Sequence, residues 1–309
     1  KTNRKTEMTK PKLSFWQIWN LSFGFLGVQI GYSLQNSNTS SIFESLGADV
    51  SHLSYFWLAA PLAGMIVQPI VGLFSDGTWT RWGRRIPYIL GGSLISALAL
   101  VLMPNCPKLL AFAPLAMGAF ILLFMDLSFN VTMQPFRALV ADMLDDSQKT
   151  QGYVVQTFLI NLGAVVGAIL PLVMTWLGVS DEAAPGHVSP HIAYSYYAGG
   201  AILLLTVLVT SFKTREYPPG EFARYNNLSE EDAKPMSFVG LMRNVPGVMV
   251  RLGVTQFFSW AALFLMWTYL KPAITGVVTD HATGEVLSAG ATQTWVGVLN
   301  GTYPIPACI

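Results

Sequence analysis

Long apolar runs recur along the chain, separated by short segments rich in Gly, Pro, Asn, Asp or basic residues. A hydrocarbon core of about 30 Å is crossed by about 20 mostly apolar residues of helix. By that measure eight spans are predicted: Phe15 to Asn36, Leu53 to Phe74, Ile86 to Met103, Leu109 to Val131 with a polar continuation to Asp142, Gly152 to Gly178, Ile192 to Phe212, Val250 to Pro272, and one from Gly290 onward. The long polar segment KTREYPPGEFARYNNLSEEDAKP follows the sixth span and reads as a linker between halves. The expected fold is an all-α membrane protein with a six-helix bundle over 1–212, a linker over 213–249 and a partial second bundle over 250–309. A second half matching the first would need four or five more helices, so the chain is expected to stop before its last ones.

Charge gives these spans a direction. Lys and Arg collect on alternate connections: five up to Lys12, then Arg81, Arg84 and Arg85, then Lys149, then six from Lys213 to Arg251. Residues 37–52, 179–191 and 279–289 contain no Lys or Arg, and Lys108 is the main exception. The positive-inside pattern therefore predicts a cytoplasmic N-terminus and a multi-pass protein of the cell membrane, with the 213–249 segment on the cytoplasmic side. Composition agrees: 52% of residues are hydrophobic and 11% charged, against about 25% charged in soluble domains. A formal net charge of +1 gives no basic field for nucleic acid. The two cysteines, Cys106 and Cys308, make neither a disulfide framework nor a metal-ligand pattern.

In lipid an ionisable group inside a span is costly, so each is a functional candidate. Asp126 lies deep in the fourth span, in LLFMDLSFNVTMQPFRALVADM. Arg137 follows eleven residues later, a rotation of about 20° and a rise of about 16 Å, which puts both on one face. Asn130 and Gln134 continue that stripe. In the first span Gln29, Tyr32, Ser33 and Asn36 share a face, fit either to line an aqueous cavity or to join helices by hydrogen bonds. The fifth span offers Gln156 and Asn161, then Gly163 and Gly167 at the spacing of close helix contact. The seventh carries Gln256, Trp260 and Trp267, where the rings suit either a sugar face or the membrane interface.

Enzymatic signatures are absent from the sequence: it has no HExxH, no phosphate-binding loop with Lys and Ser/Thr, and no CxxC. His187 and His191 are spaced for a helical metal site near Asp181 and Glu182, but Pro185, Gly186 and Pro190 point to a loop, and no metal or other cofactor is expected. A membrane receptor or membrane-bound enzyme would be the alternative from another class.

The segment GMIVQPIVGLFSDGTWTRWGRRIP, Gly64 to Pro87, resembles the connection between the second and third helices of major facilitator transporters. In detail it is similar to the sucrose transporters and their relatives among the glycoside-pentoside-hexuronide:cation symporters. Gly72, Asp76, Arg81, Gly83, Arg84 and Arg85 fill that pattern. Asp126 and Arg137 look like the acid and arginine those symporters use for proton coupling and sugar recognition, and the similarity is carried by residues 15 to about 175. The resemblance implies a monomeric sugar:proton symporter in a lipid bilayer. Its gating loop would run from Gly72 to Arg85, its proton would bind Asp126, and its sugar would meet Gln29, Tyr32, Asn36, Asp126, Asn130, Arg137 and Gln156. Sodium coupling or facilitated diffusion would be the alternatives within transport. His52 departs from the pattern, since aligning on Trp57 and Pro61 puts Val50 where plant members carry a histidine, so no role is transferred to it.

Overall fold

The computed structural model describes residues 9–49, 59–184, 186–226, 245–275 and 284–302, with positions 240, 277 and 279 and residues 304–306. Its long helices are α1 (Phe15–Ser45), α2 (Ala59–Gly77), α3 (Ile86–Leu102), α4 (Pro114–Met143), α5 (Asp146–Trp176), α6 (Pro190–Lys213), α7 (Gly247–Ile274) and α8 (Ala289–Thr302). Short helical pieces at Met103–Asn105, Cys106–Leu109 and Pro219–Tyr225 connect them. The only β pairing among the described residues is two isolated bridges, Thr80 with Gly83 and Thr279 with Val286. Among the described residues, five segments are long and apolar enough to cross a membrane: Ile86–Leu109, Pro114–Met143, Asp146–Trp176, Pro190–Lys213 and Gly247–Ile274. Val50, His52, the expected start of the second span at Leu53 and Cys308 lie outside the described residues, as do 227–239 and 241–244 of the 213–249 segment.

The largest departure from the expected boundaries is in α1, which runs to Ser45 rather than ending at Asn36. The polar run NSNTSS continues the helix because its side chains turn back onto the helix's own carbonyls. Asn38 Nδ2 donates to Leu34 O at 2.9 Å, Thr39 Oγ1 to Gln35 O at 2.7 Å and Ser45 Oγ to Ile42 O at 2.7 Å. Each such bond satisfies a polar group without water, the condition for burying it. α5 likewise starts at Asp146 rather than Gly152, where Asp145 caps it by accepting from Ser147 N at 3.1 Å. That hydrogen bonding holds the Asp145 carboxyl below the usual carboxylate range. At the other end of the chain, Ser14 and Gln17 form a reciprocal capping box that starts α1.

α1 is the central helix, packed between α5 and α6, and α4 packs on α2 and α3. Apolar surface gains nothing by leaving lipid, so close backbone contact and hydrogen bonds hold such helices together. The expected small-residue contact is present: a Cβ at Gly163 would stand 2.5 Å from Leu26 O, and one at Gly167 would stand 2.5 Å from Ile30 O. Ser33 belongs to this seam, its hydroxyl donating to Ala164 O at 2.8 Å. The aromatic pair Phe25 and Phe136 stacks at 5.4 Å between α1 and α4. α7 and α8 join this bundle at the end opposite Arg84. Lys271 of α7 pairs with Glu44 of α1 at 2.5 Å, and Gln293 of α8 donates to Ser37 O at 2.6 Å and to Asn38 Oδ1 at 2.9 Å. The rest of α7 is exposed apart from Thr268 and partly covered positions in its second half.

Candidate functional site

Two polar clusters occur on α4, one at mid-helix and one at its end. At mid-helix Asp126 is buried, 2% exposed, and accepts a short hydrogen bond on Oδ1 from Gln35 Nε2 of α1. Its Oδ2 and the Gln35 Oε1 are both buried and have no hydrogen-bond partner among the described residues. From Asp126 a ladder of amides runs along the helix. Asn130 Nδ2 donates to Asp126 O at 2.8 Å, Gln68 Nε2 of α2 donates to Asn130 Oδ1 at 2.5 Å, and Gln134 Nε2 donates to Gln68 Oε1 at 2.7 Å.

Gln68 and Gln134 each precede a proline inside a helix, Pro69 and Pro135. A proline in the helix interior removes one i→i−4 hydrogen bond, here at the carbonyls of Met65 and Val131. The α2–α4 bridge therefore sits beside the two places where these helices are least tied internally.

Arg137 is exposed on the same helix and lies within Coulombic range of Tyr32, whose ring meets Phe129 edge-on at 5.8 Å. Gln29, Tyr32 and Asn36 are half-buried on α1. Asn130 and Gln134 are thus joined by a partner absent from the expected set, Gln68, while Asn130 meets Asp126 at its backbone carbonyl. Gln156 stands apart from that ladder, buried on α5 and donating to Phe136 O at 3.2 Å. Asn161 donates to its own helix at Thr157 O, at 2.9 Å. Trp260 and Trp267 form a tilted pair at 6.0 Å on α7, with Trp260 exposed and Gln256 on the same exposed stretch.

The second cluster is built around the α2–α3 connection. Arg85, 5% exposed, reaches Asp76 at 2.5 Å and Asp142 at 2.9 Å, and donates to Ser75 Oγ at 2.6 Å. Arg84 takes the same Asp142 oxygen at 2.7 Å and lies 4.0 Å over the Phe222 ring. Glu216, just past α6, closes the arrangement by accepting from the backbone N–H groups of Arg84 at 3.1 Å, Arg85 at 2.8 Å and Ile86 at 2.9 Å. These are amides at the start of α3, where unpaired N–H groups and the helix dipole favour an anion. Burial raises the Glu216 carboxyl above its ordinary value, and the three amide hydrogen bonds oppose that rise.

Gly83 has φ +113°, and a Cβ there would stand 2.5 Å from Glu216 Oε1, so both conformation and space require glycine. Arg81 lies on its neighbour Trp82 at 5.4 Å. A Cβ at Gly72 would meet no described atom within 4 Å.

Four residues of these clusters escape sequence reasoning. Gln35 is three positions beyond Tyr32 on a helix whose polar residues had two competing explanations. Gln68 lies inside the quoted α2 segment, and Asp142 closes QPFRALVADM. Glu216 carries no local signal, since only the fold brings it to Gly83.

His187 and His191 do not form a metal cluster: no group of three or more His, Cys, Asp or Glu able to hold a metal occurs among the described residues.

Residues 42–284 match a family described as MFS/sugar transport protein, so the similarity reaches well beyond the stretch to about residue 175. The general alpha-glucoside permease of Schizosaccharomyces pombe is 25% identical over 293 residues, 88% of this chain and 50% of that protein. Sucrose transport protein SUT1 of Oryza sativa subsp. japonica is 27% identical over 267 residues, 77% of this chain and 49% of that protein. Sucrose transport protein SUC3 of Arabidopsis thaliana is 31% identical over 157 residues, 46% of this chain and 26% of that protein. The chain spans about half the length of the first two.

Proposed function

The chain belongs to the MFS/sugar transport protein family, and from that premise we propose that it moves a sugar of the sucrose or α-glucoside type across the cell membrane with a proton, by alternating access. The observation that carries the proposal is the buried Asp126–Gln35 pair. Asp126 Oδ2 and Gln35 Oε1 are both acceptors without a partner among the described residues, and one proton on the acid turns one of them into a donor. A neutral acid facing a primary amide can exchange two hydrogen bonds where the carboxylate can accept only one. The pair is therefore suited to hold a proton in a place with no described cation beside it. A sodium ion would need several oxygen ligands, and Asp126 is the one described carboxylate set at mid-helix.

In this reading the amides of Gln68, Asn130 and Gln134 and the side chains of Gln29, Tyr32, Asn36 and Arg137 meet the sugar, whereas Gln156 braces α5 on α4 through Phe136 O. The end carrying Arg84 faces the cytoplasm with the N-terminus, and the halves 1–212 and 250–309 rock about the 213–249 segment. The Asp76–Arg85–Asp142 cluster, with Glu216, holds the first half's inner end rigid through the cycle. One proton crossing about 100 mV supplies ~2.3 kcal/mol, and ~1.4 kcal/mol is tenfold, so a monomer with one acid sustains roughly fifty-fold accumulation. Uptake of a labelled α-glucoside into proteoliposomes, with pH and sodium gradients imposed separately, tests this. The expected result is accumulation driven by an inward proton gradient alone. Accumulation with sodium alone, or equilibration indifferent to both gradients, would replace the symport reading.

A further inference from the structure

A cavity of about 490 Å³ lies at the end opposite Arg84, bounded by α1, the connection before α6, the start of α6, and the facing ends of α7 and α8. It belongs to neither cluster described above. From Gln35 to Glu44 is nine residues along α1, about 13 Å of helix. The charged groups on its wall include Glu44, Asp181, Glu182 and Lys271, and Lys271 bonds one Glu44 carboxylate oxygen and the Ser41 hydroxyl.

Some buried polar atoms of the lining are closed by hydrogen bonds, such as Ser41 Oγ, which accepts from Lys271, and Gln293 Nε2, which donates to Ser37 O, and others are not. Glu44 Oε1, Gln293 Oε1 and both ring nitrogens of His191 have no hydrogen-bond partner among the described residues, and His191 and Gln293 are 0% and 2% exposed. A polar group at that depth is costly unless something bonds it. The orphaned set consists of two acceptors and an imidazole, which when neutral offers one donor and one acceptor. It calls for a neutral ligand with several adjacent groups that both donate and accept, which is the chemistry of vicinal hydroxyls. A cation would meet Lys271 and would leave an imidazole N–H unsatisfied. The volume suits a small sugar, and the lining has no aromatic platform, so binding would rest on hydrogen bonds.

We propose that this cavity is a second sugar-binding site, distinct from the Asp126 ladder and contacting both α1–α6 and α7–α8. The proposal rests on the sugar-transport reading, since the ligand class is the transported one.

The test is equilibrium binding of a radiolabelled α-glucoside, such as maltose, to the purified full chain in lipid nanodiscs. Two variants probe the cavity. His191→Asn alters its buried wall. Glu182→Cys, at the exposed rim and modified with a bulky thiol reagent, occludes the mouth without altering the buried wall. The expected result is two bound sugars per chain in the wild type, falling to one in modified Glu182→Cys and in His191→Asn, with the tighter class unchanged. In Asp126→Asn the weaker class persists. One sugar per chain in the wild type would overturn the second site and leave the transport reading intact. Two sugars per chain that survive occlusion at Glu182 would likewise overturn it. No sugar bound by the wild type would overturn both.

Discussion

At Asp142 the α4 carboxylate is gripped by two guanidinium groups at 2.7 and 2.9 Å, whereas at Asp126 it faces a single amide. About 24 Å of the same helix separates them. The Asp142 cluster alternates charge with charge: Asp76, Arg85, Asp142 and Arg84 form a continuous chain, and Glu216 is tied to three backbone amides. The Asp126 cluster is made of amides, which are neutral and can reverse donor and acceptor by rotation. The difference teaches what each is fitted for. A closed network of charges resists change because removing one member strands the others. The Asp126 carboxylate, with an oxygen that has no partner among the described residues and neutral amides around it, can accept a proton or exchange a partner at little cost.

If that contrast is right, removing charges at the α2–α3 connection should damage the fold, and removing amides should not. The largest effect is expected for Arg85→Ala, which removes the buried guanidinium that joins Asp76, Ser75 and Asp142 and leaves Asp142 to Arg84 alone. Breaking a buried ion pair from one side costs about 3–5 kcal/mol, so the variant should melt well below wild type in detergent and express poorly, and Arg85→Lys should recover only part. Unchanged melting in Arg85→Ala would show that the network is not structural.

A smaller effect is expected at Glu216. Glu216→Ala leaves three amide donors without their acceptor and should cost about 1.5–3 kcal/mol, the scale of hydrogen bonds to a charged group. Glu216→Gln keeps an acceptor oxygen and should cost less. The pH dependence carries a sign: because burial raises the folded-state value above the ordinary one, the folded protein takes up the proton more readily. That contribution to stability is complete below the ordinary Glu range and is lost as pH rises through the raised folded value. Melting measured from acidic to neutral pH should show this decline in wild type and not in Glu216→Gln; a decline of equal size in both would assign it elsewhere.

The smallest effect is expected on the amide ladder. A double-mutant cycle of Gln68→Leu and Gln134→Leu should give a coupling of about 0.6 kcal/mol, the average for hydrogen bonds between membrane helices. A coupling several times larger would make the ladder structural and erase the contrast between the two clusters.

The parts of this arrangement that the sequence made legible are those carried by short-range pattern. Five of the spans follow from apolar runs, Gly163 and Gly167 from their spacing, and Asp126 from being an acid among Leu, Phe and Met. Asp76, Arg84 and Arg85 were legible as a charged loop, although not Asp142, the common partner of the two arginines. The end of α1 was misplaced because Asn38, Thr39 and Ser45 read as a polar loop by composition, and only their bonds to carbonyls a turn behind make them helical. Gln35 was missed because polar residues recur along α1 on several faces: Ser33 turns to α5, Gln35 to α4 and Ser37 to α8. Glu216 was missed because 130 to 132 residues separate it from the amides it binds, a distance no local pattern spans.

The central claim is that Asp126 carries the coupled proton, and sugar-induced alkalinisation outside vesicles, recorded alongside labelled sugar uptake, tests it most directly. Asparagine has nearly the size of the acid and keeps a hydrogen-bonding amide toward Gln35, but it has no proton to gain or lose in the working range. The account predicts that Asp126→Asn vesicles show no sugar-induced alkalinisation and no uphill accumulation, with sugar exchange retained. Alkalinisation of wild-type size in Asp126→Asn would contradict it.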